Sequence, residues 1–542
     1  MIKISKIAFI KLLLFVKIIL SINIKSSLKI TMNFFKSTLI VSICTLLSRV
    51  FGFIRDVFFA KYLGTGYLAD VFLTAFKLPN FFRNIFTEGA FNSAFIPIFS
   101  SELVKDENNN TVINFSRNIF SILLYFILII TILAEIFMPQ LVSFIAPGFS
   151  NIEEKFNLVV SLSKITILYL LFISLVSFMS AILNSYGKFA VVSIAPIILN
   201  ISLITFSILS GFIHKNVATV LSYAVVVGGV LQFLWLLFFT LKNKMILYPV
   251  YPKFDEITKR FFKNFFNGFL GYGIIQINSM IDAVMATQIA GAVSFIYYAD
   301  RISQLPLALI GTAISTTILP VLSKKITLQE ENRFNIQEKA IFTAIFLGIP
   351  CAIGLFLLSD LFIPILFERG KFTSQDSFAV ISCLKLYAFS LPVFMLVKIL
   401  QTIFYANKDT KTPMYSSLVN LVLNITLNII CVKYFGYRGI VLSTVISAYV
   451  NAIILSSVLL MRKLVVLSGV FYLQIIKLIY PVLFMVLSIV CCKKYLIIPS
   501  ENILVELFNL ALISGISGGL YLFLSFVLKV VDLGVLLGRK GD

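Results

Sequence analysis

About fourteen apolar stretches, each long enough to cross a lipid bilayer as a helix, follow one another down this chain. They lie near residues 37–59, 67–99, 118–144, 158–184, 190–213, 217–241, 264–290, 295–323, 338–366, 377–405, 413–433, 437–461, 470–492 and 502–530. Of the 542 residues, 59% are hydrophobic and 13% charged, with a mean hydropathy of +1.00. Soluble domains carry about 25% charged residues. A soluble core has no room for so much apolar surface, so the fold class is an all-α polytopic membrane protein.

Basic residues set the orientation. With the N-terminus inside, the ends and loops holding Lys105, Lys188, Lys242, Lys244, Lys253, Lys259 and Arg260 face the cytoplasm. An even number of spans returns the C-terminus to that side. The same bias accounts for the formal net charge of +21, which in a soluble protein would raise nucleic acid as a partner; no nucleic acid is expected. The spans divide the chain into an N-terminal extension (1–31), a first lobe (32–241), a basic cytoplasmic loop (242–263), a second lobe (264–461), two further spans (470–530) and a cytoplasmic tail (531–542). The extension has two readings, a nonessential leader upstream of Met32 or an interfacial helix.

The second lobe echoes the first. Phe95-Ile96-Pro97-Ile98-Phe99-Ser100 returns as Ile318-Leu319-Pro320-Val321-Leu322-Ser323. Lys188, Pro196 and Asn200-Ile201-Ser202 are echoed at nearly the same offset by Lys411 and Asn424-Ile425-Thr426. Each match is short, but the shared offset points to two six-helix pseudo-repeats, a common transporter architecture with its binding site at the repeat interface.

Charges inside the first spans are the chemical signal. A charge at bilayer depth costs roughly 2.5–3.5 kcal/mol on insertion scales and is rare unless it faces a polar interior. Here Arg49, Arg55 and Asp56 sit in the first span, and Asp70, Lys77, Arg83 and Glu88 in the second. Asp70, Thr74, Lys77, Asn84 and Glu88 fall along one helical stripe, with Asn80 and Arg83 beside it. Arg49, Gly52 and Asp56 share a face, and Gly52 would admit a close neighbour. Pro79 is expected to kink its helix where the backbone lines a cavity. The eighth span opens with Tyr297-Tyr298-Ala299-Asp300-Arg301. Together these imply a central cationic cavity and an anionic cargo. Arginine suits a phosphate because its planar fork donates bidentate hydrogen bonds and stays charged when poorly hydrated. The plainer reading of any one arginine is an ion pair with Asp56, Asp70, Glu88 or Asp300.

The remaining chemistry is excluded more than indicated. The six cysteines lie in or beside apolar spans, show no C-x-x-C spacing and read as small buried hydrophobes. His214, the lone histidine, sits at a predicted loop edge. No P-loop, H-E-x-x-H or G-x-S-x-G occurs, so nothing points to ATP hydrolysis or covalent catalysis.

The ordered motifs resemble the MurJ/MviN family of lipid II flippases. They are Ser48-Arg49-Val50-Phe51-Gly52-Phe53-Ile54-Arg55-Asp56, Ala69-Asp70-Val71-Phe72, Phe76-Lys77-Leu78-Pro79-Asn80, Glu88-Gly89-Ala90-Phe91, Phe95-Ile96-Pro97 and Tyr297-Tyr298-Ala299-Asp300-Arg301. The resemblance implies a transporter and not an enzyme. It implies fourteen helices in two lobes around a V-shaped cavity, plus two C-terminal helices (470–530) whose groove holds a lipid tail. It implies peptidoglycan precursor transport: lipid II, an undecaprenyl-pyrophosphate-linked disaccharide-pentapeptide, flipped outward across the bacterial inner membrane, with membrane lipids and other cell-wall synthesis proteins as partners. By position, Arg49, Arg55, Arg83 and Arg301 correspond to the family's cavity arginines, and Asp56, Asp70 and Glu88 to other polar cavity positions. Lys77 and Asn80 join the expected substrate-binding set.

Energy must come from an ion gradient, membrane potential or downstream consumption. Asp282 in the seventh span, Asn420 and Asn424 in the eleventh and Thr444 in the twelfth supply oxygen ligands of the kind hard cations prefer. The resemblance makes this a candidate sodium site, with Asn424 a departure where a second carboxylate would bind more strongly. The alternative is that Asn420 and Asn424 hydrogen-bond neighbouring helices. Rival functions are a MATE-like or polysaccharide-type exporter of another substrate, whose cavity for cationic drugs should favour carboxylates, and a membrane-embedded transferase, which would need a catalytic site the short outer loops do not offer.

Overall fold

The computed structural model describes residues 30–88, 90–105, 110–213, 216–330, 332–497 and 502–531, and these are helical almost throughout. The extension before residue 30, His214 and the tail from 532 lie outside the described residues. In chain order the helices are α1 (Ile30–Leu63), α2 (Tyr67–Glu88), α3 (Ala90–Lys105), α4 (Asn110–Ile136), α5 (Met138–Ile145), α6 (Glu153–Ser185), α7 (Phe189–Leu209), α8 (Val217–Lys242) and α9 (Glu256–Ala286). There follow α10 (Ala292–Pro306), α11 (Thr312–Thr327), α12 (Arg333–Phe367), α13 (Ser374–Ala406), α14 (Lys411–Phe435), α15 (Tyr437–Met461), α16 (Gly469–Lys477), α17 (Ile479–Tyr495) and α18 (Ile503–Val527).

Each predicted stretch is occupied by one helix or by helices end to end. Among the described residues, eleven stretches are long and apolar enough to cross a membrane. α2 is not among them, because Asp70, Lys77 and Arg83 lower its hydropathy. The breaks inside predicted spans have local causes. Pro139 stands in the first turn of α5, where its missing N–H costs nothing, and Phe137 leaves the helical region at φ −97°, ψ 20°. Pro306 ends α10, and Leu307–Gly311 forms one π turn before α11. α2 itself runs on as a helix through Pro79.

The helix starts at 67, 90, 110, 153, 189 and 217 recur at 292, 312, 333, 374, 411 and 437. Packing recurs too. α7 lies against α1 and α8, as α14 lies against α9 and α15; α6 packs on α2, α4 and α8, as α13 packs on α10, α12 and α15. Lipid offers no hydrophobic drive between helices, so close backbone approach must hold them. Gly228 and Gly229 on α8 allow it: a Cβ there would lie 2.6 Å from Leu199 Cδ1 and 2.5 Å from Tyr169 Cδ2, respectively. One buried core fills the first half and continues into the second through Tyr298, Phe367 and Phe372; another joins α11–α13 and α15 to α16–α18. The described cysteines are free thiols, four of them buried and Cys491 exposed. Outside the spans, burial pushes the Asp409 carboxyl up, but hydrogen bonds from Thr412 and Arg462 outweigh this and hold it below the ordinary carboxylate range.

Candidate functional site

α1, α7 and α10 build a charge cluster at the lobe interface. Arg55 is 9% exposed. Its Nε and Nη2 donate to Asp56 Oδ1 at 3.0 and 2.8 Å, and its Nη1 donates to Asn200 Oδ1 at 3.0 Å. Tyr297 Oη donates to the same carboxylate oxygen at 2.7 Å. Arg301 approaches from α10, with Nε 3.5 Å from Asp56 Oδ2 and its guanidinium over the Tyr297 ring at 4.9 Å. Asp56 is thus the buried counter-ion of two guanidiniums, the ion pair that was the plainer reading of these arginines. Among Arg55, Arg301 and Asp56 one net positive charge remains, with Asp300 next to Arg301 in the chain. Arg301 carries it to the surface: its side chain is 41% exposed, and its Nε makes no hydrogen bond. Arg49, two turns earlier on α1, is exposed and has no carboxylate partner among the described residues. Gly52 is less critical than expected, since a Cβ would stand 3.6 Å from Asn200 Nδ2, an ordinary contact.

The polar stripe of α2 faces the second lobe along its length. Lys77 Nζ donates to Ser279 Oγ at 2.9 Å, and Asn84 Nδ2 to Gln276 Oε1 at 3.0 Å. Arg83 Nε donates to Asn80 Oδ1 on its own helix at 3.1 Å. The Glu88 side chain lies outside the described residues. A cavity of about 360 Å³ opens beside this stripe, between α2, α9, α10, α13 and α15. Its charged lining is Lys77, Asp282 and Asp300, and Tyr297 connects it to the arginine cluster. The positive charge is therefore concentrated at Arg55 and Arg301, not spread over the cavity wall.

Asp70 lies outside the lining of this cavity, where the sequence reading had put it. It is fully buried and accepts from Gly291 N at 2.8 Å, Ser294 N at 3.0 Å and Ser294 Oγ at 2.9 Å, with Lys155 Nζ at 3.5 Å. Those amides are the start of α10, whose orphan N–H groups and dipole favour an anion. Asp70 thus pins the first lobe to the second at one end of the molecule. The same end is sealed by Lys371 N on Lys61 O (3.0 Å), Gly66 N on Ser294 Oγ (3.1 Å), Tyr298 Oη on Gly64 O (3.0 Å) and Thr65 Oγ1 on Asp376. Gly370 permits the approach: its φ is +66°, and a Cβ would meet Lys61 O at 2.3 Å. Toward the other end α3 packs on α9 through Phe91, Phe95 and Phe261, and Asn118 Nδ2 donates to Thr258 Oγ1 at 2.8 Å.

Three of the four predicted ion ligands converge. Asp282 accepts from Asn428 Nδ2 at 2.9 Å and Thr444 Oγ1 at 3.1 Å, and Asn424 Oδ1 accepts from Asn428 Nδ2 at 2.6 Å. Asn420 stands apart from this network. Its Oδ1, like that of Asn428, is buried without a hydrogen-bond partner. Asn428 was missed from sequence, although its spacing of four from Asn424 puts both on one face. Among the described residues no three His, Cys, Asp or Glu side chains converge, so the donor set is one carboxylate with neutral oxygens. The lobes also echo each other here: Asn200 on α7 reaches Arg55 on α1, while Asn424 and Asn428 on α14 sit in the network of Asp282 on α9. Tyr297, Asn200 and Lys155 were likewise not singled out as site residues; for Asn200 the available signal was an isolated polar residue in an apolar helix.

A family model described as Lipid II flippase MurJ matches residues 59–505. A probable lipid II flippase MurJ of Rickettsia prowazekii (strain Madrid E) is 37% identical over 423 residues, covering 78% of this chain and 82% of that one. The corresponding protein of Buchnera aphidicola subsp. Acyrthosiphon pisum (strain APS) is 34% identical over 509 residues, covering 92% and 98%. Among solved structures, a lipid II flippase MurJ in an inward closed conformation matches with a TM-score of 0.76 and 29% identity over 90% of this chain and 98% of that one. An inward-facing MATE family multidrug transporter matches with a TM-score of 0.63 at 15% identity, over 78% and 97%, a likeness of fold.

Proposed function

This chain belongs to the lipid II flippase MurJ family, and we propose that it carries lipid II from the cytoplasmic to the periplasmic leaflet of a bacterial inner membrane, with both termini cytoplasmic. The observation that carries the reading is the half-exposed Arg301 guanidinium beside Arg55, Tyr297 and Asp56. A diphosphate needs charge-assisted donors that stay ionised away from water, and guanidinium supplies them bidentately. Export of a cationic drug would meet the wrong sign of charge at this cluster. The test is a vesicle assay: the reconstituted protein should move labelled lipid II across the bilayer without new covalent product. Movement no faster than in empty vesicles would overturn the reading.

Repeat-built transporters rock one half against the other around a central site. The sealed end at Thr65 and Asp376 would have to part for cargo to leave on that side. A Thr65→Cys/Asp376→Cys protein should stop flipping when oxidised and recover when reduced. Undiminished flipping by the fully crosslinked protein would exclude rocking at this seam.

Sodium is the proposed coupling ion, with membrane potential the other source. Asp282, Asn424, Asn428 and Thr444 would hold the ion, which supplies a charge binding α9 to α14 and α15. The partnerless Asn428 oxygen, inside this network, suits a hard cation. Purified protein should unfold at a higher temperature in sodium than in potassium, and Asp282→Ala should lose that difference. Equal shifts in both proteins would remove the site.

A further inference from the structure

α13 has two faces with different surroundings. Tyr387 and Phe394, seven residues apart, line the central cavity. Lys385, Phe389, Pro392 and Leu396 recur at the spacing of the opposite face. On that side a second cavity of about 330 Å³ opens, floored by Pro392, Val393 and Leu396 and walled by Ile345 on α12 and Tyr449 and Ile453 on α15. Residues 470–530, where the resemblance put a lipid-tail groove, contribute nothing to its lining. Its rim is apolar and exposed at Phe356, Phe389, Tyr449 and Ile453, so in a chain with these spans it lies against lipid.

One end of this groove carries a charge. Lys385 Nζ stands 5.9 Å from the centre of the Phe356 ring, that ring packs edge-on against Phe389 at 5.3 Å, and Phe389 O accepts from Tyr449 Oη at 3.0 Å. Among the described residues no carboxylate pairs with Lys385. The first lobe shows the balanced version. α6 and α13 are both 33 residues long, and Lys164 and Lys385 stand eleven residues past Glu153 and Ser374, respectively. Lys164 has Glu135 near enough for a favourable charge interaction; Lys385 has Phe356 in its place. α13 is about 50 Å long against about 30 Å of hydrocarbon, so when it is centred in the bilayer Lys385 sits about 8 Å inside the core, within snorkelling reach of the nearer headgroups. An ammonium at that depth is costly without an anion. From Lys385 to Leu396 the groove runs about 16 Å, close to the thickness of one leaflet's hydrocarbon.

We propose that this groove binds an anionic glycerophospholipid of the leaflet at the sealed end, with the phosphate on Lys385 and one acyl chain running past Phe389 and Pro392 to Leu396. The site is separate from the cargo path and lies on the bilayer side of the second lobe. A zwitterionic lipid offsets its phosphate with its own ammonium, so the lysine favours a lipid with net negative charge.

The test is native mass spectrometry of the full-length protein released from nanodiscs of phosphatidylglycerol or of phosphatidylcholine with the same acyl chains. The native protein should retain phosphatidylglycerol about fivefold more tightly, the worth of one basic residue facing an anionic headgroup. Lys385→Gln should erase that preference, and Lys385→Arg should keep it. Ser456 lines the far end of the groove, and Ser456→Phe, which fills it, should lower retention of both lipids. The Lys164→Gln/Glu135→Gln protein loses a balanced pair and should match the native one. Equal retention of the two lipids by the native protein overturns the site and leaves only unselective contact with the bilayer. An unchanged preference in Lys385→Gln overturns it as well, as does an equal loss in the Lys164→Gln/Glu135→Gln protein. Undiminished retention by Ser456→Phe removes the acyl chain from the groove.

Discussion

Arg301→Ala should abolish complementation of a flippase-depleted bacterium while the protein still reaches the membrane at normal level. Arg301 makes the cleaner test of the two clustered arginines. Its removal leaves Asp56 paired with Arg55 and hydrogen-bonded to Tyr297, so the fold keeps its buried charge balance. What is lost is the exposed positive charge, and charge-assisted hydrogen bonds are worth roughly 1.5–3 kcal/mol each. Arg55→Ala should also be inactive, but for two reasons. It strips Asp56 Oδ1 of two guanidinium donors at 2.8 and 3.0 Å, and breaking a buried pair costs about 3–5 kcal/mol. Lower membrane levels are expected for that variant alone. Arg49→Ala removes an exposed charge, so activity should fall without loss of stability. Lysine at Arg301 should rescue partly, since it restores charge but not the planar fork. Wild-type growth from Arg301→Ala and Arg49→Ala together would end the anionic-cargo reading.

Asp70→Ala should open the sealed end. The carboxylate meets two backbone amides, one hydroxyl and the Lys155 ammonium, all in a fully buried position. Alanine leaves the amides of α10 unpaired and an uncompensated buried cation, a loss of about 3–5 kcal/mol. Because these partners span the two lobes, much of that loss falls on the closed arrangement. Disulfide formation in a Thr65→Cys/Asp376→Cys background should therefore drop severalfold when Asp70→Ala is added. Adding Lys155→Met as well should recover part of the yield, because it removes the stranded charge. An unchanged yield in the Asp70→Ala protein would show that the lobes are held by other contacts.

How these residues divide into latch, counter-ion and cargo contact was only partly legible beforehand. Helical periodicity placed Asp70, Thr74, Lys77 and Asn84 on one stripe, and all of them do face the second lobe. Periodicity says which residues share a face and nothing about what stands opposite. Asp70 meets a helix N-terminus, Thr74 a cavity and Asn84 a glutamine, and the partners of Asp70 and Asn84 lie 221 and 192 residues away in sequence. The same limit explains Asn420. Asn420, Asn424 and Asn428 follow at intervals of four, yet only the last two reach the Asp282 network.

The sequence by itself determined the class of molecule, the helical character of its apolar stretches and the family. These are sums over neighbouring residues, or ordered motifs, and they survive any detail of packing. Hydropathy is such a sum, which is why each predicted stretch is helical while its breaks at Phe137 and Pro306 turn on single residues. The tertiary structure alone decided which charges cancel. Asp56 follows Arg55 directly, and the chain could have aimed that carboxylate at the cavity. It points instead between two guanidiniums because α10 brings Tyr297 and Arg301 to its other side. A charge with no water to solvate it must take its partner from whatever helix packs against it, and that neighbour is fixed by the fold as a whole.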